Sequence, residues 1–196
     1  MNRHLTRWWW VRHGPTHQRC FTGWRDVPAD LSDHDHIARL DTHLPRDALL
    51  VSSDLLRAVA TADVLAEGRT RLPHAAAIRE FDFGDWDGCA FDEVLHSQPE
   101  AARAFWKHPG EAAPPGGESW NEAASRVTGF VDGLTRTHPG RDIVAVAHLG
   151  VILTQLRRAG ELTAAEAITQ HIAPLSVTRI DGDGVEWQLR QVNHEV

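Results

Sequence analysis

The chain has 196 residues, which is long enough for one domain with a sizeable core and short for two. Hydrophobic residues make up 42% of the sequence and charged residues 24%, a composition that is typical of globular proteins and argues against disorder. The formal net charge of -7 disfavours nucleic acid or an acidic membrane as the main partner, although a small anion held by local positive charge stays compatible with it.

Three short apolar runs that stop at polar or glycine residues predict buried strands, and helical patterns alternate with them. In chain order the predicted elements are a strand over 8–11, a strand over 48–53, a helix over 53–68 capped by Ser53 or Asp54 and ending at Gly68, a helix over 117–140, a strand over 142–148 and a helix over 150–162. This alternation predicts one α/β domain over 1–196, a three-layer α/β/α sandwich with a mostly parallel sheet.

The other parts of the chain are predicted to decorate this sheet. Residues 69–116 carry short helical pieces and lead into the Pro/Gly-rich stretch HPGEAAPPGGES, which indicates a small helical cap inserted over the sheet rather than a second domain. Two β-rich runs over 175–180 and 185–192, joined by the sequence DGDG, predict a C-terminal β-hairpin.

Polar and charged side chains follow each of the three predicted strands. Arg12 and His13 follow the first, Ser53 the second and His148 the third, while Arg57 lies one helical turn beyond the second. Because ligands bind beyond the carboxyl ends of parallel strands, we expect these side chains to meet at one edge of the sheet. Two arginines near a helix N-terminus match a phosphate group in geometry and charge. A histidine there could donate to the phosphate or attack its phosphorus, and attack requires a neutral imidazole oriented by an acceptor such as a backbone carbonyl.

The stretch AIREFDFGDWDG supplies carboxyl groups for proton transfer. Glu80 lies among aromatic residues that would partly desolvate its carboxyl group and raise its pKa, as a general acid requires. Asp82, Asp85 and Asp87 compete for the same role, and the residues alone do not decide among the four.

Five motifs, in this order, resemble those of one enzyme family. They are VRHGPT, SSDLLRAVATA, REFDFGDWDG, PPGGES and AVAHLG, and they span about residues 7 to 160. From them the chain is identified as a member of the histidine phosphatase superfamily, in the branch that holds the cofactor-dependent phosphoglycerate mutases and α-ribazole-phosphatase-like enzymes. The resemblance implies that no metal and no added cofactor is needed.

The resemblance also implies roles for the residues of the predicted site. His13 resembles the nucleophile that becomes phosphorylated, and Glu80 resembles the proton donor. Arg12 and Arg57 resemble the phosphate clamps of the family. His148 resembles the second histidine of the phosphate pocket, which stabilises the transferring group.

Around this pocket the chain both follows and departs from the family pattern. Thr22 and Gly23 in FTGWRD are similar to residues that contact the substrate. Leu149 stands where glycine is often found, and its backbone amide can still donate to phosphate provided that its φ angle is not positive. Gln18 and Arg19 replace an asparagine that commonly contacts phosphate, and LSDHDHIARL replaces the expected T-x-x-G. None of these departures removes a core catalytic group.

Several residues also have interpretations that do not involve phosphate. Arg57 could pair with Asp54 on the surface of its helix. His34 and His36 raise the question of zinc, but a spacing of two does not place them on one helix face, so solvent exposure is favoured. A group of tryptophans is expected near the mouth of the site, where it packs the cap or forms an apolar wall for an aromatic leaving group; it comprises Trp24, Trp86, Trp106 and Trp120.

Nothing in the sequence requires a membrane or an oxidising compartment. The two cysteines, Cys20 and Cys89, cannot form a disulfide framework, no signal peptide is visible, and no apolar run approaches the ~18 residues of a transmembrane helix. We therefore expect a cytoplasmic protein with no nucleic acid or membrane partner. A homodimer paired through the C-terminal hairpin is left open.

The predicted function is hydrolysis of a small phosphorylated metabolite by a metal-independent phosphomonoesterase of the histidine acid type. A phosphohistidine on His13 is the expected intermediate, with Glu80 as the proton donor. The compact cap and PPGGES favour this function over phosphoglycerate mutase-type phosphoryl transfer. The second alternative, a non-catalytic phosphate-ligand binding protein, is disfavoured because the five residues of the predicted site are intact: His13, Arg12, Arg57, Glu80 and His148. α-Ribazole 5′-phosphate, a sugar phosphate and a broad range of substrates are all compatible with the sequence.

Overall fold

A six-stranded sheet forms the centre of the molecule in the computed structural model, which describes residues 5–196. The strands are β1 (Thr6–Arg12), β2 (Leu49–Ser52), β3 (Thr70–Arg71), β4 (Asp142–Ala147), β5 (Val177–Gly182) and β6 (Trp187–His194). They lie in the order β3-β2-β4-β1-β5-β6, in which the first four strands are parallel. β5 is antiparallel to both β1 and β6, so the sheet is mixed at one end.

Helices cover both faces of this sheet. They are α1 (His34–His43), α2 (Leu56–Val64), α3 (Phe91–Ser97), α4 (Pro99–Lys107), α5 (Trp120–Thr137), α6 (Leu149–Gly160) and α7 (Ala164–Ile168). On one face α1 and α2 bury Leu40 and Ala58, and on the other α5 and α6 bury Val127 and Ile152. The three-layer α/β/α sandwich with a mostly parallel sheet is thereby confirmed. No helix within residues 5–196 is long and apolar enough to cross a membrane.

The three successive tryptophans of β1 serve both helix layers, because side chains alternate between the two faces of a strand. Trp8 and Trp10 stack with ring centres 5.2 Å apart in the core beneath α5 and α6. The indole Nε1 of Trp8 donates to Thr135 Oγ1 at 3.0 Å, which satisfies its buried polar group. Trp9 faces the opposite layer, where it donates to Asp142 Oδ1 at 3.0 Å.

The helix after β2 begins later than predicted, and the predicted N-cap is wrong. α2 starts at Leu56 with Leu55 as its N-cap and has no side-chain capping bond. Ser53 Oγ lies 2.6 Å from His148 Nε2, and Asp54 pairs with Arg79, so neither side chain is free to cap the helix. The helix also ends at Val64 rather than at Gly68. By contrast, the long helix α5 has a complete capping box, in which Ser119 and Glu122 satisfy each other's backbone amides.

The cap and the hairpin also differ in detail from the predictions. The first residues of the predicted cap, in β3, pair with β2 and belong to the sheet, whereas α3, α4 and two short 3-10 turns form the rest of the segment. The C-terminal hairpin is confirmed, but its strands continue through Asp181 and Gly182, which lie within DGDG. Gly182 pairs with Trp187 across the two strands, and the Trp187 ring packs directly over it, leaving no room for a side chain.

Candidate active site

The carboxyl ends of β1, β2 and β4 meet at one edge of the sheet, where a cavity of about 220 Å³ opens. The cap helices α3 and α4 supply its outer wall. Six of the predicted catalytic and phosphate-binding residues line this cavity: Arg12, His13, Thr22, Arg57, Glu80 and Leu149. His148 is fully buried beside them, with its ring centre 5.0 Å from that of His13. Residues separated by more than 130 positions in the chain are thereby brought together.

His13 is held as a neutral imidazole with a lone pair on Nε2. Its Nδ1 lies 2.7 Å from the carbonyl oxygen of Gly14, and because a carbonyl only accepts, Nδ1 carries the proton. The other nitrogen, Nε2, accepts from Arg57 Nε at 3.3 Å. Burial, and then the positive charge of Arg57, lower the pKa of His13 from 6.5 to about 3. The ring therefore stays unprotonated at any mildly acidic or neutral pH.

Arg57 is fixed by backbone carbonyls and not by a carboxylate. Its Nη1 donates to the carbonyl oxygen of Arg25 at 3.0 Å, and its Nη2 donates to that of Gly23 at 2.7 Å. The alternative pairing with Asp54 does not form, since Asp54 makes a two-pronged ion pair with Arg79. A guanidinium held by neutral acceptors keeps its charge available for an anion.

Arg12 is arranged in the same way at the end of β1. Its Nη1 donates to the carbonyl oxygen of Ile172 at 2.6 Å, while its buried Nε has no hydrogen-bond partner among the described residues. Glu80 is the only carboxylate that lines the cavity within the described part of the chain, and it faces two arginines. The edge of the sheet therefore carries a local excess of positive charge although the protein is acidic.

His148 follows β4 and contacts Ser53, the residue that follows β2. The hydroxyl of Ser53 accepts from the backbone N–H of Leu55 at 3.4 Å and lies 2.6 Å from His148 Nε2. We take the hydroxyl as the donor to Nε2, and the imidazole proton then lies on Nδ1. That buried Nδ1 has no partner among the described residues. Burial, followed by the proximity of His13, keeps the pKa of His148 well below 6.5.

Glu80 is the buried carboxyl group of the site. Its Oε1 accepts from the backbone amides of Phe81 and Gly150, each at 3.0 Å. Burial raises its pKa above the usual glutamate value, and the two amides together with Arg57 and Arg12 oppose that shift. The carboxyl group therefore retains its proton at higher pH than an exposed glutamate does.

The three competing aspartates lie outside the cavity. Asp82 accepts from the backbone of Gly84 and Asp87 accepts from the backbone of Gly23, so both brace the loop, while Asp85 is exposed. Because none of them lines the cavity, the geometry selects Glu80 from the four carboxylates.

The start of α6 closes over Glu80 at a position where only glycine fits. A Cβ atom on Gly150 would stand 2.5 Å from Glu80 Oε1 and 2.8 Å from the ring of Phe81. Leu149, the first residue of α6, has no left-handed backbone conformation, so its departure from glycine causes no strain. Its side chain instead contributes to the cavity wall.

Thr22 and Gly23 occupy different positions relative to the cavity. Thr22 lines it, whereas the amide of Gly23 donates to Asp87 Oδ1 at 3.0 Å and its carbonyl holds Arg57. Gly23 is thus placed behind Arg57. A side chain there would collide with the backbone oxygen of Phe81, at 2.6 Å.

The tryptophans divide in a way that the sequence did not reveal. Trp86 and Trp120 are buried core residues, and Trp86 packs against Phe105 of the cap, in agreement with cap packing rather than with an exposed apolar wall. Trp106 lines the cavity and is 44% exposed. Trp24 donates to the carbonyl oxygen of Glu80 at 2.7 Å and lies outside the lining.

The sequence analysis did not place six further residues in the lining of the cavity: Thr16, Gln18, Cys20, Phe21, Phe83 and Phe91. Two of them had a signal in the sequence, since Gln18 stands near the missing asparagine and Phe83 is one of the aromatic residues around Glu80. No group of three or more potential ligand side chains in residues 5–196 is arranged to hold a metal ion, and His34 is exposed at the start of α1.

Comparison with known proteins places this site in context. The sequence matches the profile of the histidine phosphatase superfamily (branch 1) over residues 8–195. Phosphoglycerate mutase-like protein 4 of Arabidopsis thaliana is 32% identical over 158 residues, covering 76% of this chain and 69% of that protein. The adenosylcobalamin/alpha-ribazole phosphatase of Salmonella typhimurium is 29% identical over 159 residues, covering 78% of each chain. The bifunctional protein Rv2228c of Mycobacterium tuberculosis is 31% identical, covering 96% of this chain, which spans only 54% of that longer protein.

Solved structures agree with the sequence comparison. The mycobacterial glucosyl-3-phosphoglycerate phosphatase Rv2419c superposes with a TM-score of 0.82 at 27% identity, covering 96% of this chain and 99% of that one. YhfR of Bacillus stearothermophilus superposes with a TM-score of 0.84 at 25% identity, covering 97% and 98% of the two chains. The chain belongs to the histidine phosphatase superfamily (branch 1).

Proposed function

We propose that the protein hydrolyses a small phosphomonoester through a phosphohistidine on His13. The observation that carries this proposal is the neutral His13 ring, whose Nε2 lone pair is directed at the arginine that would hold the phosphate. A nucleophilic imidazole needs its proton on the remote nitrogen and needs an acceptor that fixes the ring. The carbonyl of Gly14 supplies both conditions.

In the first step Nε2 attacks phosphorus, and the bond between phosphorus and the leaving oxygen breaks. The leaving oxygen takes the proton of Glu80 and departs as an alcohol. Arg12 and Arg57 hold the phosphoryl oxygens, and the unpaired Nδ1–H of His148 is the remaining donor for the transferring group. We assign auxiliary contacts with the substrate to Thr22 and, through its amide, to Leu149, and we assign the positioning of Arg57 to Gly23.

In the second step the ionised Glu80 takes a proton from water. The resulting hydroxide attacks phosphorus, and the bond between phosphorus and Nε2 breaks. Inorganic phosphate then leaves, and both His13 and Glu80 return to their starting protonation states. No metal ion and no added cofactor is needed to balance either step.

The charge of the cavity favours a phosphatase over a mutase. A mutase transfers a phosphoryl group between the hydroxyls of an acid that is bisphosphorylated during the reaction. Its cavity would require further cationic side chains to bind the second phosphate and the carboxylate. Within the described part of the chain the cavity lining holds two cationic side chains, Arg12 and Arg57, and both are placed at the same end as His13. Phosphomonoesters that carry no anionic group besides the phosphate agree with this lining.

Release of 4-nitrophenol from 4-nitrophenyl phosphate at pH 5.5 tests the proposal. We expect turnover by the wild type and a loss of at least about 10⁴-fold for His13→Ala, because the covalent route is removed. His34→Ala is the matched control, since His34 is exposed on α1 far from the cavity lining. A wild type that releases 4-nitrophenol no faster than His13→Ala and the uncatalysed reaction, with phosphate esters still bound, would identify a binding protein instead.

A second assay separates hydrolysis from transfer. The enzyme is given 3-phosphoglycerate with 2,3-bisphosphoglycerate, and the products are inspected for 2-phosphoglycerate and for inorganic phosphate. We expect inorganic phosphate alone. Formation of 2-phosphoglycerate at a rate above that of phosphate release would favour the mutase alternative.

A further inference from the structure

A second, smaller cavity of about 80 Å³ adjoins the candidate active site, and we call it the annex. It shares Glu80, Phe83, Trp106 and Leu149 with the main cavity. Its other walls are apolar and come from the core and from the cap: Phe81, Phe105, Trp120, Gly150, Leu153 and Ile168. Glu80 is therefore the only charged residue that lines the annex within the described part of the chain.

Glu80 fixes the direction in which the leaving group must extend. The proton donor has to reach the leaving oxygen, which is the atom that joins the phosphoryl group to the rest of the substrate. Since Glu80 borders both cavities, a substrate whose phosphorus faces His13 directs its leaving group toward the annex. The walls of the annex then select the chemistry of that leaving group.

We infer that the physiological substrate is a phosphomonoester whose leaving group is apolar or aromatic, and that the annex and Trp106 bind it. This inference rests on the proposed function and specifies its substrate class. A polyhydroxylated leaving group would lose its hydration in the annex without finding partners, which is costly. An aryl or alkyl group would instead bury apolar surface against aromatic rings.

The mouth of the site extends this apolar surface to solvent. Phe91 on α3 and Trp106 on α4 are 51% and 44% exposed, although both are large and apolar. Their rings lie 4.7 Å and 6.3 Å from that of Phe21, so the three form one aromatic group at the mouth. Exposed aromatic side chains that are continuous with a cavity mark a binding surface for an apolar ligand.

A pair of substrates with equally reactive leaving groups tests the inference. 2-Phenylethyl phosphate and glycerol 3-phosphate both release primary alcohols, so a difference in kcat/KM reports recognition of the leaving group. We expect the wild type to prefer 2-phenylethyl phosphate by at least about tenfold. Trp106→Ala should reduce this preference by about tenfold, mainly through 2-phenylethyl phosphate, and Phe91→Ala should reduce it by a smaller factor. Leu95→Ala is the matched control, because Leu95 is equally exposed on α3 and does not line either cavity.

Each outcome of this test is decisive. A wild-type preference for glycerol 3-phosphate, or a preference that Trp106→Ala leaves unchanged while 4-nitrophenyl phosphate is still hydrolysed, overturns the inference and spares the proposed function. Calorimetric titration of His13→Ala with the same two esters measures recognition without turnover. About tenfold tighter binding of 2-phenylethyl phosphate supports the inference even where hydrolysis fails, and equal affinities contradict it.

Discussion

The part of the cavity that is proposed to bind phosphate and the part that is proposed to bind the leaving group are built from different parts of the chain. We call them the phosphate end and the leaving-group end. At the phosphate end, His13 and His148 directly follow the central strands β1 and β4 and are buried. At the leaving-group end, Phe91 and Trp106 come from the cap helices and are about half exposed. The two ends meet at Glu80, which borders both spaces. In the proposed mechanism the sheet thus holds the groups that perform the chemistry, while the cap supplies a surface that can vary with the substrate.

The two ends also differ in their electrostatics. The phosphate end contains two arginines that are anchored by carbonyl oxygens, and burial together with their charge lowers the pKa of His13. The annex contains apolar walls, and these contribute to the burial that raises the pKa of Glu80. The pKa of the base is therefore lowered and the pKa of the acid is raised within one site. Proton transfer between distinct groups requires this separation of pKa values.

Removing the acid at the junction is the most direct way to separate the two ends. Glu80→Gln keeps the shape and an oxygen acceptor for Gly150 but loses the transferable proton. We expect kcat/KM to fall about 10³-fold with 2-phenylethyl phosphate, whose alkoxide needs a proton in order to leave. With 4-nitrophenyl phosphate the loss should be about tenfold, because nitrophenolate leaves without a proton. Steady-state rates at pH 5.5 on both esters measure this contrast.

Asp85→Asn serves as the control for that experiment, since Asp85 lies in the same stretch but is exposed and outside the lining. Its activity on both esters should equal that of the wild type. If Glu80→Gln slowed the two esters by the same factor, Glu80 would be shown to position the substrate rather than to donate the proton.

The start of α6 offers a second, smaller perturbation. Gly150→Ala places a Cβ atom 2.5 Å from Glu80 Oε1 and 2.8 Å from the ring of Phe81, so the carboxyl group must shift. We expect kcat/KM to fall at least about tenfold, and overpacking of this kind costs about 2 kcal/mol of stability. Gly129→Ala is the matched control, because nothing lies within 4 Å of that added Cβ in the middle of α5.

Gly129→Ala should raise the free energy of unfolding by about 0.5–1 kcal/mol and leave kcat/KM unchanged, since alanine favours a helix. Urea titrations and rates with 2-phenylethyl phosphate measure both variants. Full activity of Gly150→Ala would show that Glu80 tolerates displacement, and the close fit at the junction would then have no role in proton transfer.

The phosphate end could be predicted from the sequence because His13 and His148 directly follow recognisable strands and Arg57 lies one helical turn beyond another. Once parallel strands are recognised, their final residues must share one edge of the sheet. His13 and His148 are placed in this way without knowledge of any side-chain contact. The choice of Glu80 over Asp82, Asp85 and Asp87 needed the structure, because burial depends on how α6 closes over the loop.

The misplaced features depend on contacts between distant residues. Ser53 has the composition of an N-cap, but a buried nitrogen of His148 engages its hydroxyl. Gly182 has the composition of a turn, but Trp187 packs over it inside the hairpin. Likewise, Trp86 and Trp106 look alike in sequence, and only the packing of the cap buries one and leaves the other at the mouth. The secondary-structure propensity of a residue is overridden where a tertiary contact stabilises the fold by more.

Acidification should lower the free energy of unfolding through the phosphate end rather than through the leaving-group end. In the folded protein His13 stays neutral down to about pH 3, whereas in the unfolded chain it binds a proton near pH 6.5. Protons therefore favour the unfolded state, and stability is lost as the pH falls from about 6.5 to about 3. Glu80 acts in the opposite sense, because its raised pKa lets the folded state take up a proton first.

A comparison of variants isolates the part that His13 contributes. At pH 5 one histidine of this kind lowers the free energy of unfolding by about 2 kcal/mol. This pH lies about 1.5 units below the unfolded pKa, and each unit contributes about 1.4 kcal/mol. Urea unfolding at pH 7.5 and pH 5 should show a smaller loss of stability for His13→Gln than for the wild type, by about that amount. Trp106→Ala, which changes only the leaving-group end, should keep the wild-type dependence on pH. An equal loss for the wild type and His13→Gln would mean that His13 binds a proton in the folded protein near its usual pKa, and the neutral nucleophile would be contradicted.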